Sequence, residues 1–344
     1  MSCRDCSAIE PLEDEGFVHL RPASSSLAYA LNDKGFKWKG NPEDCRFLYK
    51  SREELVFLLK ALEILEVELT LSLSIHITGR DNNPFIARWG SLSQLIIRVS
   101  NQKLMDIISN TEFCSHMQPI VNFAEEIVGF EFLLRPKLGG SYFQPFELFE
   151  KARQTGFHSF LDRAARISAI ETSAAYLPRG IKRFINFLPS SIYNPKYCLT
   201  HTFAAIERLE QDPKDFVFEV VETEKIRDIT HLSTIFAEYR RQGMLVALDD
   251  VGTGFSTLDV MMSLKPDFVK IDRSLISYCD VDTVKQKTIL DIIEQAERYG
   301  GRVLAEGIER REEFLYCQDK GVDLAQGYLF GRPEERPPAY FGVL

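Results

Sequence analysis

From residue 114 to residue 330 short apolar runs alternate with longer segments of helical period, and no low-complexity linker interrupts them. The runs lie at 117–121, 127–134, 183–188, 216–221, 245–249, 268–271, 302–305 and 324–330. Eight strand-like runs over about 230 residues, mostly separated by helices, have the size and rhythm of a TIM-like (β/α)8 barrel. The first two runs are joined only by 122–126, too short for the crossover that parallel neighbours need. That pair must be antiparallel. The expected fold class is therefore α/β, a TIM-like (β/α)8 barrel with one antiparallel strand, occupying 111–340. Residues 1–110 read as a small α+β N-terminal domain of regulatory or dimerising type. Its signals are a helical stretch at 53–67 and strand-like runs at 69–77 and 95–99.

Composition narrows the class of function. A chain of 344 residues with 45% hydrophobic and 26% charged residues is an ordinary globular protein, neither disordered nor coiled coil. A net charge of −9 disfavours tracking of polymeric nucleic acid, but leaves room for one nucleotide in a pocket or for a site that gathers cations. No membrane span is expected, because the most apolar stretch, 55–77, carries Lys60, Glu63, Glu66, Glu68 and His76. The acidic N-terminus does not read as a signal peptide, which points to a cytoplasmic protein. Seven cysteines are an odd count and fit reduced thiols, with Cys114, Cys198, Cys279 and Cys317 as core filler. Cys3 and Cys6 form a C-x-x-C pair that Cys45 and His19 complete as a metal site only if folding brings them together. The plainer reading is a terminal tail. Trp38 and Trp89 read as core or interface residues.

In a barrel of this kind the active site is built at the C-terminal ends of the strands. Polar residues recur there: Glu131 and Arg135 in GFEFLLR, Asn186 in RFINFLP, Glu219 and Glu222 in FVFEVVETE, and Asp249 and Asp250 in LVALDDVGTG. Lys270 and Asp272 follow in DFVKIDRS, Glu306 and Glu309 in RVLAEGIE, and Gln326 in LAQGYLFGRP. One such acid reads as a solvated cap. Five strands delivering carboxylates to one rim repel one another unless cations sit among them. Hard oxygen ligands favour Mg²⁺ or Mn²⁺, and the absence of recurring His or Cys disfavours zinc. Adjacent Asp249 and Asp250 suit a two-metal site, one bridging and one not. Gly252-Thr253-Gly254 allows a tight loop nearby. Lys270 raises the rival chemistry of a Schiff base, but crowding by acids keeps it charged.

These motifs, together with QPIV at Gln118, resemble in order and approximate spacing the EAL-domain cyclic di-GMP phosphodiesterases of bacteria, over about 118–333. The resemblance implies hydrolysis of cyclic di-GMP to linear pGpG with two Mg²⁺ or Mn²⁺ ions. Carried over by motif, Glu131, Asn186, Glu219 and Asp249 ligate one metal, and Asp249 with Asp250 the second, Asp272 lying close by. Lys270 and Glu306 orient and deprotonate the attacking water. Gln118, Arg135, Asp272 and Gln326 lie at the substrate, and Glu222 anchors the loop 250–256. The resemblance also implies a homodimer. Two positions depart from the family: its alanine after the first glutamate is Phe132, and the aromatic of DDFGTG is Val251. Alternation sends Phe132 away from Glu131, outward toward the helices. Three readings stay open: a phosphodiesterase, a receptor that binds cyclic di-GMP without cleaving it, and a scaffold.

Overall fold

Strands covered on both faces need apolar side chains at nearly every position, and the eight runs after residue 112 meet that condition in two separate cores. The computed structural model describes residues 12–22, 24–36, 38–39, 45–79, 89–221, 228–253 and 257–339. The chain divides into two units, one built on Phe113–Gly140 and Ser159–Leu344, the other on Ala8–Glu112 and Ser141–His158.

In the second of these units an antiparallel sheet is formed by β1 (Gly16–Arg21), β2 (Trp38–Lys39), β3 (Cys45–Tyr49), β4 (Ser74–Gly79) and β5 (Gly90–Ser91), in the order β2-β3-β1-β4-β5. Helices α1 (Ser25–Asp33), α2 (Arg52–Glu68), α3 (Leu92–Ser100), α4 (Gln102–Ser109) and α5 (Pro145–Gln154) complete it. Two sequence expectations fail here. The run at 95–99 is helical, because Ser91 and Gln94 form a reciprocal capping box and Leu92, Leu95, Ile96 and Val99 repeat at helical spacing. The run at 69–77 becomes strand only from Ser74, since Leu71 N–H still turns back to the Glu66 carbonyl. Cys45 packs in the core beside Leu20, whereas His19 lies on the alternate face of β1, bonded to Thr78. The two do not converge on a metal. Cys3 and Cys6 lie outside the described residues.

The barrel unit contains β6 (Phe113–Val121), β7 (Ile127–Pro136), α6 (His158–Tyr176), β8 (Lys182–Phe187), α7 (Pro195–Cys198), α8 (Thr200–Arg208), β9 (Phe216–Val220) and α9 (Ile229–Arg241). It continues with β10 (Leu245–Val251), α10 (Leu258–Leu264), β11 (Phe268–Ile271), α11 (Arg273–Ile276), α12 (Thr283–Glu297), β12 (Arg302–Ala305), α13 (Arg311–Asp319) and β13 (Leu324–Gln326). The strands close as β10-β11-β12-β13-β6-β7-β8-β9. β6 is antiparallel to both of its neighbours and the other pairings are parallel. The expected barrel with one reversed strand is borne out. The run at 324–330 is shorter than expected, because the chain leaves the sheet at Gly327, where Ile308 backbone leaves no room for a Cβ. Cys198, Cys279 and Cys317 are buried filler, while Cys114 is only half buried.

The floor of the barrel repeats one device. Asp215, Asp267 and Asp323 each stand one residue before a strand and accept the backbone N–H of Gly180, Val246 and Val303, at 2.8, 2.9 and 2.7 Å. Each also faces an arginine, Arg183, Arg240 and Arg302, at 3.2, 3.2 and 3.8 Å. The recurrence at every second strand ties the starts of neighbouring strands together, a stabilising role expected of this end. Arg183 is fully buried. Asp215→Ala, which strands that charge, is expected to lower stability by about 3–5 kcal/mol in urea denaturation, with little change in any activity at the opposite rim.

Candidate active site

The barrel interior holds one layer of apolar side chains, among them Ile120, Phe184, Val217, Ala247, Phe268, Leu304 and Leu324. Residues two apart on a strand share a face. One such step along each parallel strand leads from Phe184 to Asn186, Val217 to Glu219, Ala247 to Asp249, Phe268 to Lys270, Leu304 to Glu306 and Leu324 to Gln326. β6 runs the other way, so the step goes backward, from Ile120 to Gln118. On β7, Phe130 and Phe132 face the helix layer and Glu131 faces inward. A polar layer thus sits on an apolar one, built from one residue of every strand. Among the expected site residues, eight are brought together this way. Phe132 lies outward, as alternation required.

Lys270 occupies the centre. Its Nζ, almost fully buried, lies 2.7 Å from Glu306, 2.9 Å from Glu219, 3.0 Å from Asp249 and 3.7 Å from Glu131. Glu131 accepts hydrogen bonds from Gln326 Nε2 at 2.6 Å and Asn186 Nδ2 at 3.2 Å. Gln326 also donates to Gln118, and Gln118 to the Gly331 carbonyl, both at 3.2 Å. The two glutamines therefore aim Glu131.

Four carboxylates share one ammonium, and the proton affinities of three of them, Glu219, Glu306 and Glu131, diverge. Burial, reinforced by Glu131 and Asp249, pushes Glu219 well above the usual carboxylate range. Burial and Asp249 do the same to Glu306. Burial opposes ionisation of Glu131 as well, but Lys270 and the amide donors hold it below its ordinary value. Burial works against the Lys270 charge, and the surrounding carboxylates outweigh it, so the ammonium persists far above its ordinary range. A lysine so held cannot serve as a Schiff-base nucleophile.

Asp249 and Asp250 cannot both face inward on a regular strand. The register of β10 against β11 shifts between Leu248 and Val251, and Asp250 takes a left-handed φ of 52°, a conformation that Asp tolerates better than most residues. The bulge brings carboxylate oxygens of Asp249, Asp250 and Glu306 within 4.8 Å of one another. Burial first, then Asp249 and Asp272, push Asp250 up to about 7.

The donor set fits hard divalent cations. The buried oxygens of Glu219 and Oδ1 of Asp249 meet no hydrogen-bond donor besides the Lys270 ammonium, and clustered carboxylates with an amide oxygen are the ligands Mg²⁺ and Mn²⁺ prefer. Glu306, expected at the attacking water, also brings a carboxylate oxygen to the place where Asp249 and Asp250 could hold a cation.

Two expected residues stand apart from this cluster. Asp272 caps α11 by accepting Ser274 N–H at 3.0 Å and lies against Asp250. Arg135 shares the inward face of β7 with Glu131, but four residues further on, about 13 Å along the strand, and its guanidinium donates to the Leu134 carbonyl at 2.7 Å. Glu222 and Gly254 lie outside the described residues. Val251 is fully buried in the strand–helix core.

The EAL domain model matches residues 101–333. The chain is similar to the probable cyclic di-GMP phosphodiesterase PdeB of Escherichia coli (strain K12), 31% identical over 240 residues covering 69% of this chain and 45% of the relative. A second relative there, the probable cyclic di-GMP phosphodiesterase PdeG, is 29% identical over 236 residues, 66% of this chain and 45% of that protein. The chain thus spans about half the length of these relatives. Among solved structures, a standalone EAL protein from Vibrio cholerae O395 in its c-di-GMP bound form matches with a TM-score of 0.60 and 31% identity, over 66% of this chain and 94% of that one. Among the described residues no helix is long and apolar enough to cross a membrane.

Proposed function

We propose, because this chain belongs to the EAL domain family, that it hydrolyses one phosphodiester bond of cyclic di-GMP to give linear pGpG, using Mg²⁺ or Mn²⁺. The observation that carries this reading is the polar layer itself, in which four carboxylates and three amides are gathered with a single buried ammonium. So much negative charge in one place is an unexplained cost to a scaffold. It is an asset to a site that must hold cations against a doubly anionic substrate.

Glu131, Asn186, Glu219 and Asp249 would hold one ion, and Asp249 with Asp250 the second, Glu306 within reach. Bound ions supply neutralisation of the phosphate oxygens and a lower pKa for the attacking water. The protein's own groups do the rest. Lys270 donates a hydrogen bond that orients the water. Glu306, made more basic by burial and by Asp249, accepts its proton at a carboxylate oxygen. Arg135 at the rim offers a guanidinium to phosphate or to a guanine edge.

The test incubates the protein with cyclic di-GMP, with Mn²⁺, with Mg²⁺ and with EDTA, and separates products by chromatography. Metal-dependent pGpG is expected. Substrate that binds but stays intact in all three would make the protein a receptor instead.

Phe132 separates packing from chemistry. Because it faces the helices, Phe132→Ala is expected to keep turnover within about threefold while lowering stability by about 3–5 kcal/mol through the cavity it leaves. Urea denaturation and initial rates, measured on one preparation, check both parts.

A further inference from the structure

Asn186 is the penultimate residue of β8, so its position depends on how the chain leaves that strand. The exit is held from outside the barrel. Asp162, in the first turns of α6 and almost fully buried, accepts the backbone N–H of Leu188 at 2.8 Å through one oxygen. Its other oxygen takes the Ser191 hydroxyl and Arg166, whose Nη2 and Nε lie at 3.0 and 3.2 Å. Arg166, equally buried, is fixed in turn by donating to Thr202 Oγ1 at 2.6 Å. Leu188 is two residues beyond Asn186, and Ser191 ends the 3₁₀ turn Pro189–Ser191 that follows.

None of these groups is a member of the polar layer, yet together they bury an ion pair. Its charges could be replaced by apolar side chains at little cost to stability. A carboxylate that spends both oxygens on one strand exit does something an apolar contact cannot: it sets the direction of a backbone N–H. We infer that Asp162 is a positioning residue, which through Leu188 and Ser191 sets where Asn186 stands relative to Glu131 and so tunes the hold of the site on a divalent cation. The inference rests on the phosphodiesterase reading for its effect on turnover, but not for its effect on cation binding.

The test removes the clamp without stranding a charge, by combining Asp162→Leu with Arg166→Met, and reads Mn²⁺ affinity by calorimetry alongside kcat and KM for cyclic di-GMP. Ser191→Ala serves as a milder second variant if the first fails to fold. The expected result is Mn²⁺ binding weakened by about 10- to 100-fold and a similar fall in kcat, with KM changed little. In an Asn186→Ala background the same clamp variants are expected to add nothing further. Losses that persist undiminished in that background, or Mn²⁺ affinity unchanged by the clamp variants, would overturn the inference. A wild-type protein without turnover, whose Mn²⁺ affinity still shows the coupling to Asn186, would sink the phosphodiesterase reading and leave the clamp standing.

Discussion

Glu131→Ala is expected to lower turnover of cyclic di-GMP by about 10³-fold, the rate equivalent of several kcal/mol of lost transition-state charge stabilisation, without unfolding the protein. Glu131 draws together amides and ammonium of the polar layer, with Gln326 at 2.6 Å, Asn186 at 3.2 Å and Lys270 at 3.7 Å. Its ionised form is favoured in the folded protein by these partners, so it stands ready to ligate at neutral pH. Stability moves little, because two effects oppose: the variant loses a long ion pair to Lys270 and relieves the repulsion that raises Glu219. Thermal melting in EDTA, expected within a few degrees of wild type, and product chromatography check the two halves. Collapse of the fold in this variant would show that the polar layer is structural.

Lys270→Met is expected to fail in both respects. Turnover falls by about 10²–10³-fold, as for removal of a preorganised donor. Stability in EDTA falls by about 3–5 kcal/mol, because the variant leaves Glu219, fully buried, with uncompensated charge. Mn²⁺ at a hundred times its dissociation constant should restore about 2.7 kcal/mol, since the ion takes over the role of the lost ammonium. Urea midpoints with Mn²⁺ and with EDTA measure this. Equal midpoints for variant and wild type in EDTA would mean that the carboxylates do not depend on Lys270.

These two residues show how differently sequence and structure contribute. The sequence alone determined the architecture: eight apolar runs at barrel spacing, and a connection of 122–126 too short for a parallel crossover, leave little else for the chain to form. It also made the inward polar layer legible, because strand alternation places a residue two steps beyond an interior apolar one on the same inward face, and Asn186, Glu219, Asp249, Lys270, Glu306 and Gln326 all follow that rule. Local patterns failed where a short window suits two conformations, as at 95–99, where a capping interaction at Ser91 settled the helix.

What only the tertiary structure decided was which groups meet, and at what distance. Lys270 pairs with acids from four other strands, and no spacing along the chain encodes those separations, since closure of the barrel sets them. The bulge that turns Asp249 and Asp250 to the same side depends on register against β11, a long-range property. The grip of Asp162 on Leu188 joins a helix to a strand exit 26 residues away. Burial completes the account: a carboxylate in sequence is an acid of ordinary strength, and Glu219 and Glu306 become stronger bases only because the folded chain removes water from around them.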